Sequence, residues 1–488
     1  MSEPISHDDR SRGAVADAVR YVEQWLALHQ RLDRVPGVQL AILHGDDIVS
    51  SRAFGVADLT SGEPLTTEHR FRIASHSKTF TATAIHALAH DGALRLDDRV
   101  ATLVTDLDGT PIGEVTVREL LGHGAGVLRD GWRADHWQLS TEFPDASGLV
   151  ALATDRADVL SRNERFKYSN VGYSVLGLVI EAVTGEPYAA HMQRQLLDPL
   201  GLTSTAADLD PQDSSATAGM ATGHSAIAFD GARIPIDHVA TGAMASATGF
   251  VSTASDVVRW VAAHFFGDER ILGDDCKRVM QRTEWPIAGS AGSEYTLGFG
   301  VTKINERRLL GHGGGFPGHI THTLFDPHER IAASVLTNAI DGPAQMYVAT
   351  VFRLIDLALG ATASETAAVA PDVASRFTGR FANLWGVSDV VDLGGRLHLL
   401  DPIVGDPTAD PIRLDVSDEQ TTLRITDSPG YAAPGEKLVY TRDDDGTVRE
   451  VRGAGGVTMY PHDPFVTALA RFDRVRLGAP VVPADDSP

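Results

Sequence analysis

The chain has 488 residues, too many for one ordinary domain and enough for two. Hydrophobic residues make up 43% and charged residues 22%, which fits a globular protein with a full core. The net charge of −23 makes duplex nucleic acid and anionic membranes poor partners, and the single cysteine, Cys276, excludes an intrachain disulfide.

The polar, acidic stretch from Met1 to Arg10 lacks the basic region and apolar core of a Sec signal. No run of about eighteen apolar residues marks a membrane helix. A cytoplasmic location is the resulting expectation.

Ala14 to Leu32 carries Val15, Val19, Val22, Trp25, Leu26 and Leu28 at helical spacing, and Pro36-Gly37 breaks it. Val38 to Leu43 and Ile48 to Val56 read as a hairpin joined by His44-Gly45-Asp46-Asp47. Phe71-Arg72-Ile73-Ala74-Ser75 then runs into an amphipathic helix, which Asp91-Gly92 ends. Asp97 to Leu107 is turn-rich. A short helix, Val115 to Leu121, leads into the glycine-rich loop Gly122-His123-Gly124-Ala125-Gly126.

Asp130 to Asp145 is irregular and carries Trp132, Trp137 and Phe143. These rings could line a cleft or form a satellite core. A helix is expected from Ala146 to Leu160. Phe166-Lys167-Tyr168-Ser169-Asn170 turns into the apolar helix Val171 to Val183, which Gly185 closes. Ala206 to Thr248 is small, polar and aperiodic, as expected of loops wrapping a site. Thr253 caps a helix reaching Phe266, with Asp256 as the partner of a capping box. Leu297 to Val301, Ile320 to Phe325 and Ile331 to Leu336 alternate like strands, and Met346 to Leu359 is a last long helix.

This order implies an α+β fold, with one sheet shared by both ends of the region and a helical insertion between them. Residues 1–360 form that domain, 361–372 a linker, and 373–488 a small all-β domain of short strands separated by turns.

Chemistry enters at Ser75. A serine at a helix mouth lies in the field of free backbone N–H groups. Lys78, one of only five lysines, falls one turn later on the same face. Its ammonium, or its neutral amine in a dry site, can reach the Ser75 hydroxyl. Ser-x-x-Lys recurs by chance, so partners must be sought. Tyr168 is a candidate proton shuttle, and a neighbouring ammonium would pull its pKa down from ~10. Asn170 could hold Lys78 through its carbonyl and a substrate amide through its NH2. The competing reading makes Tyr168 an aromatic plug and Asn170 a helix cap. The oxyanion donors would be the amides of Ser75 and of Gly315, which follows His312-Gly313-Gly314.

An α/β-hydrolase site would need Gly-x-Ser-x-Gly downstream of His-Gly-Gly-Gly, and none follows. A phosphate loop would need Gly-Lys-Ser/Thr, which is absent. His319 and His322 point to opposite faces of a strand, so no metal site is expected there.

Ser75-His76-Ser77-Lys78, Tyr168-Ser169-Asn170 and His312-Gly313-Gly314, in this order, resemble the serine β-lactamase and penicillin-binding-protein-like hydrolases. The nearest branch contains class C β-lactamases, D-aminopeptidases and family VIII esterases. The resemblance spans roughly Val15 to Leu359. It implies an antiparallel sheet flanked by helices, acylation of Ser75, acid–base roles for Lys78 and Tyr168, and orienting roles for Asn170, His312, Gly314 and Gly315. It implies no cofactor and no metal. The tail after Asp372 resembles the lipocalin-like modules of some relatives. It could cover the cleft or pair subunits into a homo-oligomer.

Two positions depart from the pattern. Gly124-Ala125-Gly126 replaces Thr-Ser-Gly, and His312 replaces a lysine that would hold a substrate carboxylate. A neutral histidine reads a carboxylate poorly, so esters, amides or N-terminal D-residue peptides are expected over penicillins. An acyltransferase on the same serine, a β-lactamase or DD-carboxypeptidase, and a silent binding protein are the competing readings.

Overall fold

The computed structural model describes residues 7–155, 159–229, 231–289, 292–363, 368–427, 434–453, 456–472 and 474–475. The chain forms two units: Asp33–Ala349, and Met1–Leu32 together with Thr350–Pro488.

The larger unit is built on an eight-stranded antiparallel sheet. Its order is Asp47–Gly55, Gly37–His44, Ile331–Thr337, His319–Asp326, Arg307–Phe316, Gly300–Ile304, Glu294–Tyr295 and Trp285–Pro286. The early hairpin pairs directly with the late strand Ile331–Thr337, Val38 opposite Thr337. Both ends of the unit therefore share one sheet, as the element order implies. All seven residues of Ile331–Thr337 are buried, so this strand is covered on both faces; only Ser334 and Thr337 interrupt its apolar run.

The segments between the strand ends are mainly helical. Ser77–His90 is the central helix, with every residue from Ser77 to His86 buried. Its small residues let neighbours close in: Thr81 Oγ1 donates to Ser246 O at 2.6 Å. Phe80 stacks between Trp260 (3.9 Å) and Phe250 (4.3 Å), all fully buried. The Thr253 cap forms, accepting from Asp256 N at 3.2 Å. Asp256 does not complete a box. Its carboxylate accepts instead from Ser204 N and Thr205 Oγ1, tying down a loop from much earlier in the chain.

The smaller unit is a closed eight-stranded barrel in which each strand pairs with its neighbour in sequence. Gly379–Asn383 closes it against Thr458–Pro461. Phe377, Phe381, Leu397, Leu414, Leu423, Ile425, Tyr440 and Val451 fill the interior. Two strands absent from the sequence reading complete it, Ile412–Asp418 and Thr458–Pro461.

The unit boundary differs from the expected one. Helix His7–Leu32 belongs with the barrel, not with residues 33–349. Trp25 Nε1 donates to Val404 O at 3.4 Å, and Asp17 Oδ2 accepts from Gly394 N at 3.3 Å. The expected linker is also shorter. Helix Ala344–Thr362 runs into it and helix Pro371–Phe377 begins inside it; residues 364–367 lie outside the described set. Among the described residues, Ala344–Thr362 alone is long and apolar enough to cross a membrane. Tyr347, Phe352 and Ile355 on it are fully buried, which marks a core helix.

Candidate active site

Ser75 sits in a tight turn, Ala74–His76, that runs directly into the central helix. Ala74 holds a left-handed backbone (φ 46°), an unusual conformation for a residue with a side chain. Three contacts fix the turn. Ser77 Oγ donates to Ala74 O at 2.5 Å and accepts from Phe250 N at 3.0 Å. His76 Nε2 lies 2.9 Å from Thr323 Oγ1 on the adjacent strand.

The strand Arg307–Phe316 pairs with Gly300–Ile304 only as far as Gly311. Beyond it, His312 to Phe316 runs alongside the Ser75 turn. Gly314 allows this approach, since a Cβ there would meet Ile73 O at 2.2 Å. A Cβ on Gly315 would meet nothing closer than 3.4 Å. The position that demands glycine is thus Gly314 rather than Gly315.

Ser75, Lys78, Tyr168 and Asn170 come together. Lys78 Nζ lies 3.1 Å from Ser75 Oγ, and the Tyr168 hydroxyl donates to the same oxygen at 2.8 Å. Lys78 Nζ also donates to Asn170 Oδ1 (2.7 Å) and to Ala247 O (2.8 Å). Burial pushes Lys78 well below the usual lysine range; Asp130 opposes the shift and Arg129 adds to it. A neutral amine suits these partners. Its two N–H groups go to the two carbonyls, and its lone pair faces the serine.

Burial raises the Tyr168 phenol above its ordinary value, against the downward shift expected from the sequence. Desolvation of the phenolate dominates; the Ser75 hydrogen bond and Arg129 pull the other way, and Asp130 adds to the rise.

Asn170 uses both ends. Its Oδ1 faces Lys78, and its Nδ2 donates to Asp130 Oδ1 at 2.5 Å instead of facing the cavity. Ser169, not Asn170, is the helix cap, accepting from Gly172 N at 2.8 Å. Helix Asn170–Thr184 thereby fixes Tyr168 just before its first turn.

His312 Nδ1 lies 2.7 Å from Gly313 O, so this nitrogen donates. Nε2 is then the acceptor for the Tyr295 hydroxyl at 3.2 Å. Burial holds the imidazole well below its usual pKa. His312 is therefore neutral.

Ser75, Tyr168, Asn170 and His312 line a cavity of about 760 Å3 with Arg129, Asp130, Trp137, Phe166 and Tyr295, and Lys78 is fully buried behind Ser75. Asp130 Oδ1 also accepts from Trp137 Nε1 (2.9 Å), and Arg129 Nε pairs with Oδ2 (3.1 Å). The three aromatics of the 130–145 segment divide: Trp137 lines the cavity, Phe143 packs on Phe316 and Met244, and Trp132 is 63% exposed. His322 faces the cavity while His319 is buried against Phe71, on opposite faces of their strand.

Arg129, Asp130 and Tyr295 are absent from the sequence reading. A charged pair directly after the apolar Val127-Leu128 was the available signal for the first two. Tyr295 gave none. The glycine substitution at 124 has a structural reason. A Cβ there would press on Asn163 Oδ1 (3.0 Å) and Trp285 Nε1 (3.1 Å).

The family model described as Beta-lactamase matches residues 24–355. Penicillin-binding protein 4* of Bacillus subtilis (strain 168) is 30% identical over 304 residues, 57% of this chain and 62% of the relative, so the match leaves more than a third of that relative uncovered. The D-amino acid amidase of Ochrobactrum anthropi SV3, solved with D-phenylalanine, shares 26% identity at TM-score 0.59 over 70% of this chain and 99% of the amidase. The octameric penicillin-binding protein homologue from Pyrococcus abyssi reaches TM-score 0.64 over 90% of this chain and 99% of its own, at 22% identity, a likeness of fold. With its family model covering well over half of the residues, and with Lys78 and Tyr168 meeting at the Ser75 oxygen, the chain belongs to the Beta-lactamase family.

Proposed function

We propose that the protein is a serine hydrolase that works through an acyl-enzyme on small amides or esters, D-aminoacyl compounds among them. The observation that carries this reading is the Ser75 oxygen, held 3.1 Å from Lys78 Nζ and 2.8 Å from the Tyr168 hydroxyl. The neutral Lys78 amine takes the Ser75 proton as the oxygen attacks the carbonyl. The amides of Ser75 and Gly315 receive the developing oxyanion. Tyr168, protonated at neutral pH, donates to the leaving nitrogen or oxygen and is recharged from the Lys78 ammonium. Water then reverses the sequence and frees Ser75. Asn170 orients Lys78.

Two features support the substrate class. Neutral His312 offers no fixed cation to a carboxylate, and the positive charge of Arg129 is already paired with Asp130. The Asp130 carboxylate lines the cavity and suits a substrate ammonium. The likeness to a D-amino acid amidase points the same way.

A plate of p-nitrophenyl esters, D- and L-aminoacyl anilides and nitrocefin tests the reading. Esters and D-aminoacyl anilides are expected to turn over faster than nitrocefin, with a transient acyl mass on the Ser75 peptide. Nitrocefin as the best substrate would overturn the substrate class. Turnover without any Ser75 adduct would overturn the mechanism.

A further inference from the structure

Tyr168 is held from both sides by one residue. The amide of Lys167, just before it, donates to the backbone oxygen of His123 at 2.9 Å. The amide of Ser169, just after it, donates to His123 Nδ1 at 3.2 Å. The two rings lie together, centroids 4.4 Å apart. Tyr295, Tyr173 and Phe166 surround the imidazole further, at 4.8, 5.0 and 5.5 Å.

This residue sits in an unfavourable setting. It is 2% exposed and its backbone is left-handed, φ 59°. Because Nδ1 accepts, the ring proton is on Nε2. That Nε2–H has no hydrogen-bond partner among the described residues. A residue needed only for packing would not have to combine a strained backbone with an unpaired buried donor, and such combinations gather where function fixes geometry. An apolar side chain would fill the same aromatic box without leaving a donor unpaired. What it could not do is accept from Ser169.

We propose that His123 is the positioning residue for Tyr168, and that its Nδ1 holds the phenol over Ser75. The inference rests on the proton-transfer role given to Tyr168 above. The ring must stay neutral, since a proton on Nδ1 would expel the Ser169 amide. Burial does this, reinforced by the nearby Lys167.

The test compares His123→Asn, His123→Gln and His123→Leu, each alone and combined with Tyr168→Phe. The readouts are the rate at which a fluorophosphonate labels Ser75 and the melting temperature. Asparagine tolerates the left-handed backbone and carries Oδ1 where Nδ1 stands. His123→Asn is therefore expected to label within about threefold of wild type. Glutamine places its polar atoms one bond further out, and leucine has none. Both are expected to slow labelling by about 30-fold or more, within the range of a lost acid–base group. Neither should slow the Tyr168→Phe protein further, because their effect runs through the phenol.

Labelling of His123→Leu at the wild-type rate would overturn the proposal. So would His123→Asn failing as badly as His123→Leu, or an undiminished His123→Leu effect in the Tyr168→Phe background. If His123→Leu does not fold, the Asn and Gln variants decide the matter alone. If Tyr168→Phe itself labels normally, the role of Tyr168 falls and His123 falls with it, a result distinct from a failure of His123 alone.

Discussion

The two units handle polar groups in opposite ways. In Asp33–Ala349 the buried set includes Lys78, His76, His86, His123, His264, His312 and His319, most of them in or beside the cavity. In the barrel the core cluster is aliphatic and aromatic, and the buried polar groups are fewer: Arg396, His398 and Asp389, the last matched by two bonds from Arg380 at 2.8 Å each. Burying polar groups is unfavourable unless they are paired. A unit that keeps a neutral lysine and a ring of histidines inside does so for chemistry. A unit that buries leucines around a closed barrel has no such need.

The largest effect expected from this contrast is at Lys78. Lys78→Arg keeps a cation but cannot supply a neutral amine, so kcat/KM for an ester should fall by about 10^4-fold, at the upper end for a lost general base. Steady-state assay of the purified variant checks it. The barrel offers the counter-test. Leu423→Ala should destabilise its unit by about 2–5 kcal/mol, read by thermal or urea unfolding. Below that transition kcat should stay at the wild-type value. A matching loss of kcat would dissolve the contrast.

Asp130→Asn keeps the acceptor for Asn170 and Trp137 while removing the charge. The KM of a D-aminoacyl anilide should rise by about tenfold, or ~1.4 kcal/mol, with a simple ester much less affected. Equal losses on both substrates would mean that Asp130 serves only to hold Asn170.

The smallest effects concern pH. His76 and His264 are held near about 3, and His86 and His322 near about 4, by burial. Below their ordinary 6.5 the unfolded chain takes up protons that the folded chain refuses. Stability of the larger unit is therefore full above that value and falls on acidification, by up to ~1.4 kcal/mol per pH unit for each histidine. In the barrel unit Asp392 is raised to about 6, by burial first and then by neighbouring Asp17. Its sign is reversed: stability is full below the ordinary 3.8 and declines as the pH rises toward 6. His398 of the same unit, held near about 4 by burial, opposes that decline. Melting curves across this range should therefore show the larger unit losing stability on acidification and the barrel unit changing little.

The same contrast explains what the sequence discloses. Ser75 and Lys78 are legible because three residues of helix put them on one face. Tyr168, Asn170 and the His312 strand are legible because their motifs recur in a recognisable order. The sheet shared by both ends follows from the order of hairpin, helices and strands. Arg129, Asp130 and Tyr295 are not legible, since a loop and a two-residue strand next to the sheet's edge deliver them from far along the chain. The direction of the Tyr168 shift is set by the burial of its phenol, which local sequence does not show. Helix His7–Leu32 shows a clear apolar face but not the partner it packs on, so its membership in the barrel unit was invisible.

The account stands on an uncharged Lys78 beside Ser75. The most direct test is the fluorophosphonate labelling rate of Ser75 as a function of pH, in wild type and in Lys78→Arg. The account predicts a wild-type rate that reaches its plateau well below the ordinary lysine pKa of 10.5, and an Lys78→Arg protein that barely labels at any pH. A wild-type rate that climbs only as that ordinary value is approached, or an Lys78→Arg variant that labels like wild type, would contradict it.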